Sequence, residues 1–300
     1  MRTPFTGVGT ALITPFKKDG SIDEAAVKRL ARRQVDAGVH FLSPCGTTGE
    51  APTLSHKEKL RVVELVVEEV KGQVPVLAGA GGYDTRDTIE LVRDMERAGA
   101  DGLLSVTPYY NKPTPEGLFQ HFKAIAQATR LPIVLYNVPS RTAINMDVAT
   151  TARLSESPNI VGIKSPGDLV QMSEIISATR DGFLVLSGDD PVTVATMAIG
   201  GVGVVSVASN EAPAEMVQIV ELCEKGDYAA ARKLHHWLLP LIQVNFCESN
   251  PIPCKAAMAA MGLVDEVYRL PLVSPSPAAR EKVMAVLQQL RLLGAAARAS

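Results

Sequence analysis

Ile160-Val161-Gly162-Ile163-Lys164, closed by Ser165-Pro166-Gly167-Asp168, reads as a short buried strand that ends on a lysine. The apolar run follows Pro158-Asn159 and stops at a Pro-Gly turn, the punctuation expected around a strand rather than a helix. Lysine is rarely buried without a partner. Held against an apolar wall, an amine loses its preference for the ammonium form and becomes a nucleophile for carbonyl compounds. The plain alternative is a lysine that snorkels from the strand end into solvent.

Seven further apolar runs share this form: Gly7 to Pro15, Phe41 to Ser43, Pro75 to Ala80, Asp101 to Val106, Pro132 to Tyr136, Phe183 to Leu186 and Gly203 to Val207. Helical patterns separate them, from Asp23 to Ala37, Ser55 to Lys71, Asp84 to Ala98 and onward to Pro213 to Lys225. Ser55-His56-Lys57-Glu58 is a capping box, and Thr114-Pro115 gives an N-cap followed by a proline at the first helical position. Strands alternating with helices at a spacing of roughly 20–35 residues point to parallel βαβ units. The expected fold is an α/β (β/α)8 TIM barrel over 1–225, with an open doubly wound sheet as the second choice. Beyond it, 226–300 shows only helical periodicity, in Tyr228 to Val244, Ile252 to Met261 and Ala278 to Leu293. These form a C-terminal helical extension packed on the barrel or on a neighbouring subunit, with a frayed tail from Gly294.

Composition narrows the function classes. The chain has 300 residues, 46% hydrophobic and 21% charged, with a net charge of −2. That balance gives no electrostatic footprint for nucleic acid or for an anionic membrane. No apolar stretch approaches the ~18 residues of a membrane span, and the start lacks the apolar core of a secretory signal. Cys45, Cys223, Cys247 and Cys254 form no CxxC pair, so reduced thiols in a cytoplasmic protein are expected. Gly79-Ala80-Gly81-Gly82 has Asp84 where the third glycine of a dinucleotide fingerprint belongs, and the five histidines show no metal-ligand spacing. No cofactor and no metal are expected.

In a barrel, catalytic groups lie where strands end and the next loops begin. Thr47 and Thr48 follow the second strand, Tyr109 and Tyr110 the fourth, and Tyr136 ends the fifth. Arg141 lies in the loop after it, Lys164 ends the sixth strand, and Gly188-Asp189-Asp190 follows the seventh. Polar groups on five loops around one amine favour a carbonyl-chemistry site. Singly, each has a simpler reading: the tyrosines as interface packing, the threonines as turn caps, Arg141 as a surface ion pair. Asp189-Asp190 reads as structural, since Asp190 before Pro191 is a good N-cap, and acidic groups at this position argue against the phosphate site that many barrels build there.

The segments GTALITPF, GTTGE, VTPYYNKP, LYNVPSRT, GIK, SGDD, NPIPCK and RLPL together resemble the dihydrodipicolinate synthase / N-acetylneuraminate lyase superfamily, over nearly the whole chain. The arginine of YNVPSRT places the resemblance on the synthase side. It implies that Lys164 forms an imine with pyruvate, and that Tyr136, Thr47 and Tyr110 form a hydroxyl relay. In such families the second tyrosine crosses a dimer interface. It further implies that Thr48 and the Val205 amide hold the pyruvate carboxylate, that Gly188 adjoins the substrates, and that Arg141 binds the carboxylate of aspartate semialdehyde. The implied assembly is a homotetramer of tight dimers, or a dimer. Two features depart from the pattern. Relatives usually read Lys-Glu-Ala-Ser/Thr-Gly-Asp/Asn where Lys164 is followed by Ser-Pro-Gly-Asp, one residue shorter. Of the lysine-feedback positions, His56 and Tyr109 match whereas Lys59, Tyr83 and Asp87 do not, so weak or absent lysine inhibition is expected. Two other functions stay open: a pyruvate-dependent class I aldolase acting on a sugar acid or hydroxy-oxo acid, and a non-catalytic ligand-binding barrel.

Overall fold

A computed structural model describes residues 5–293; the tail expected to fray from Gly294 lies outside the described residues. Eight strands alternate with helices: β1 (Gly7–Ala11), β2 (Phe41–Ser43), β3 (Leu77–Gly79), β4 (Gly102–Val106), β5 (Ile133–Tyr136), β6 (Ile160–Ser165), β7 (Leu184–Ser187) and β8 (Gly203–Ser206). Strands β3 to β8 pair in parallel in sequence order, and β1 lies between β2 and β8 with Val8 opposite Val204. A parallel bridge from Leu42 to Val76 joins β2 to β3. The sheet therefore closes into a (β/α)8 barrel, and the open-sheet alternative falls.

Each strand is buried on both faces, which explains why its sequence is apolar throughout rather than alternating. Inside the barrel, Phe5, Phe41, Leu77, Val134, Leu184 and Val205 pack together, with Phe5 edge-on to Phe41 at 5.7 Å. Phe5, Phe41 and Leu77 lie at strand starts and plug the barrel toward that end. The second core lies between the sheet and the outer helices, where Ile133, Leu135, Ile163 and Val204 meet Val63, Val92, Phe122 and Val220. The helices begin as their sequences indicate. The Ser55–Glu58 capping box is formed in both directions, and Asp23, Asp84, Thr114, Asp147 and Asp168 each accept an amide hydrogen in the first turn. Each such cap contributes about 0.5–2 kcal/mol.

Several boundaries differ from expectation, each for a local reason. β1 stops at Ala11 because the amide of Ile13 donates to the Asn210 side chain instead of continuing a ladder. β6 runs one residue past Lys164, since Ser165 pairs with Ser187 and its carbonyl accepts from Gly188. Arg141 sits on a four-residue helix, Pro139–Thr142, rather than in an irregular loop. The last helix is Pro277–Gln289, ended early where Arg291 takes a left-handed φ of 58°. Asp190 is not an N-cap: its carboxylate Oδ2 accepts the amides of Val207 and Ala208, which ties the β7 loop to the turn after β8.

Three helices follow the barrel: Tyr228–Val244, Ile252–Ala260 and Pro277–Gln289. The first packs on Pro213–Glu224, and the third packs on the other two. His235 points into this packing, while His236 and Trp237 are exposed.

Candidate active site

The GTTGE turn after β2 is shaped by a close backbone approach. A Cβ on Gly79 would lie 2.0 Å from the Cys45 carbonyl oxygen, so only glycine lets this turn rest on β3. Cys45 (φ 58°) and Glu50 (φ 53°) take left-handed conformations, and the Thr14 hydroxyl donates to the Gly49 carbonyl. Glu50 turns inward to a fully buried ion pair with Lys255, whose ammonium also donates to the Thr14 carbonyl. Thus Thr47 and Thr48 stand on a turn braced from behind. Burial pushes the Cys45 thiol up to about 12, which removes it as a nucleophile.

On β6, Ile163 faces the outer core, so by strand alternation Lys164 faces into the barrel. It is 6% exposed, and its amine lies over the face of the Tyr136 ring, 4.1 Å from the centroid. Tyr136 is the register partner of Lys164 on β5. The shortened segment after Lys164 turns through Gly167 (φ 61°), and Asp168 caps the following helix. Gly188 fits against this turn: its amide donates to Ser165, and a Cβ there would lie 3.2 Å from Pro166.

Seven of the eight residues singled out from the sequence line one cavity of about 260 Å³: Thr47, Thr48, Tyr136, Arg141, Lys164, Gly188 and Val205. A second cavity, about 230 Å³, shares Thr47, Tyr136 and Arg141 and extends to Lys59 and Tyr109. The eighth, Tyr110, is not brought to this cavity. It is 93% exposed, with a left-handed φ of 71°. Beside it, Tyr109 is held edge-on to Tyr83 at 5.4 Å.

Among the wall residues that sequence reasoning did not assign to the site are Asp189, Phe246 and Asn250. Asp189, read as structural, lines the cavity; burial raises its carboxyl above the usual range, and Lys164 pulls it back in part. Phe246 and Asn250 reach the cavity from the helical extension. Asn250 Nδ2 donates to Thr48 Oγ1 at 2.9 Å, and its carbonyl accepts from Arg141 at 3.2 Å. The signal was present as a polar residue opening the NPIPCK segment, but nothing local says which loop it faces.

An amine, a phenol, two hydroxyls and a guanidinium thus meet where the strands of a barrel end. The model of the dihydrodipicolinate synthetase family matches residues 4–290. The chain belongs to that family. A 4-hydroxy-tetrahydrodipicolinate synthase of Koribacter versatilis is 48% identical over 289 residues, covering 96% of each chain. The crystal structure of dihydrodipicolinate synthase from Aquifex aeolicus superposes with a TM-score of 0.95 at 42% identity, covering 97% of this chain and 100% of that one. The chloride-inhibited synthase from Acinetobacter baumannii, solved with pyruvate, gives 0.94 at 40% identity, covering 96% and 99%. Family membership thus rests on whole-chain similarity, independently of the cavity geometry.

Proposed function

We propose that this chain is a 4-hydroxy-tetrahydrodipicolinate synthase, condensing pyruvate with aspartate 4-semialdehyde through a Schiff base on the way to lysine and diaminopimelate. The observation that carries the reading is Lys164, buried against Tyr136 in a cavity that also holds Thr48 and Arg141. The Lys164 amine adds to C2 of pyruvate, and loss of water leaves an iminium. This withdraws electrons from C3, a methyl proton leaves, and the enamine attacks the aldehyde carbon. The new alkoxide takes a proton, the substrate amine attacks C2, and the Lys164 amine departs as the ring closes. One water is released overall. Tyr136 and Thr47 supply hydroxyls for these transfers, which need movable protons and no strong base. Thr48 and the Val205 amide hold the pyruvate carboxylate beside Gly188, and Arg141 grips the carboxylate of the aldehyde bidentately.

The same reading makes the enzyme cytoplasmic and cofactor-free, a barrel of 1–225 whose cavity borrows residues from the 226–300 extension. Among the described residues no helix is long and apolar enough to cross a membrane. Tyr110 completes the relay from a partner subunit in a tetramer of tight dimers, or in a dimer; its exposure, and its place outside the lining of its own chain's cavity, support this. Lysine inhibition is weak or absent. The cleft of about 520 Å³ that would receive lysine carries the cation Lys59, and its His56 is already engaged by Asp94.

A coupled assay with pyruvate and a panel of aldehydes tests the substrate. Turnover should require the aspartate semialdehyde and persist in millimolar lysine. Preference for a polyhydroxy aldehyde would move the reading to a sugar-acid aldolase.

A further inference from the structure

Asn250 lies between Tyr228–Val244 and Ile252–Ala260, outside the barrel, yet it is 6% exposed and lines the cavity that holds Lys164. It touches both groups assigned to the substrate carboxylates. Its side-chain Nδ2 donates to Thr48 Oγ1 at 2.9 Å, and its backbone carbonyl accepts from Arg141 Nη2 at 3.2 Å. We infer that Asn250 is a positioning residue: it sets the direction of the Thr48 proton and the pose of Arg141, and so fixes where the two carboxylates are held. The inference rests on the function proposed above.

A threonine hydroxyl has one proton to give and two lone pairs to receive with. Because the Asn250 amide donates to Thr48, the Thr48 proton is left for another acceptor. A carboxylate accepts only, so it is the partner this polarity selects. Thr48 is 2% exposed, so little water competes for that proton. Arg141 uses a single N–H on the Asn250 carbonyl, which restrains its rotation and leaves its other donors for a second carboxylate. The chain on either side of Asn250 is anchored, while its side-chain Oδ1 is buried with no hydrogen-bond partner among the described residues. The Ile252 amide donates to Ser249, and five residues on Lys255 pairs with Glu50 behind the same GTTGE turn. The extension therefore clips to this turn at two points, one electrostatic and one aimed into the cavity.

Asn250→Asp tests the polarity. It keeps the shape but only accepts, so Thr48 must turn its proton toward residue 250 and away from pyruvate. The readout is the pyruvate concentration that half-saturates borohydride trapping on Lys164, measured with thermal melting for the wild type, Asn250→Asp, Asn250→Ala, Thr48→Val and the Thr48→Val/Asn250→Asp double variant. We expect Asn250→Asp to raise that concentration about tenfold or more, the loss of one hydrogen bond to a charged group. Asn250→Ala should raise it less, since Thr48 keeps its proton free. In the Thr48→Val background, Asn250→Asp should add little, because the hydroxyl it redirects is gone. Simple charge repulsion from an aspartate would persist in that background and would overturn the inference. So would unchanged trapping in a folded Asn250→Asp or Asn250→Ala. A wild type that does not trap pyruvate at all would remove the function and this inference together, an outcome visible without any variant.

Discussion

In the function proposed above, Arg141 is the cavity residue that separates one second substrate from another, and it is held differently from its neighbours. Lys164, Tyr136 and Thr48 are buried on or beside strands, whereas Arg141 is exposed on the four-residue helix Pro139–Thr142, which ends at a left-handed Ala143. Its presence was legible in YNVPSRT; its helix was not, because Pro-Ser-Arg-Thr is too short to show any period. Arg141→Lys keeps the charge and loses the planar fork. The KM for the aldehyde should rise about tenfold or more, with pyruvate trapping on Lys164 unchanged. Steady-state kinetics with each substrate varied in turn would show it. A rise in the pyruvate constant alone would place Arg141 at the other carboxylate.

At the scale of elements, the strands and their helices could be read from sequence because each is a local pattern. The braces between them could not. Glu50 and Lys255 lie far apart in the chain and meet with neither side chain exposed, roofed by the Phe16 ring 4.4 Å from the ammonium. Asp190 misled for the same reason: Asp-Pro is a good local cap, but two amides after β8 claimed the carboxylate. Removing one partner of a buried pair leaves the other charge uncompensated, at a cost of about 3–5 kcal/mol. Lys255→Met should therefore destabilise the protein by that amount in denaturant unfolding, and Glu50→Gln/Lys255→Met should regain much of it. A double variant no better than the single would show that the pair matters for shape rather than charge.

Over the whole molecule, eight apolar runs with helical spacers pointed to the barrel but left an open sheet as the alternative, because closure depends on the long-range bridge from Leu42 to Val76. The sequence did not reveal a buried acid. Glu211, before Pro213, resembles an ordinary helix-start carboxylate, yet it is 1% exposed, and burial pushes it up to about 8 from 4.5. Between those two values the folded state holds a proton that the unfolded chain has lost. Stability from this group is therefore greatest below 4.5 and falls as pH rises toward 8, by at most about 1.4 kcal/mol per pH unit. Glu211→Gln removes that slope. Thermal melts should show the variant gaining on the wild type from pH 5.5 to pH 8; a constant difference would mean that Glu211 is ionised in the fold.

Borohydride trapping with pyruvate, followed by peptide mass spectrometry, tests the proposed imine on Lys164 most directly. A pyruvate-sized adduct on the peptide carrying Lys164, absent in Lys164→Ala, is the expected result. A folded protein that yields no adduct, or yields one on another lysine, would contradict it and leave a barrel that binds without this chemistry.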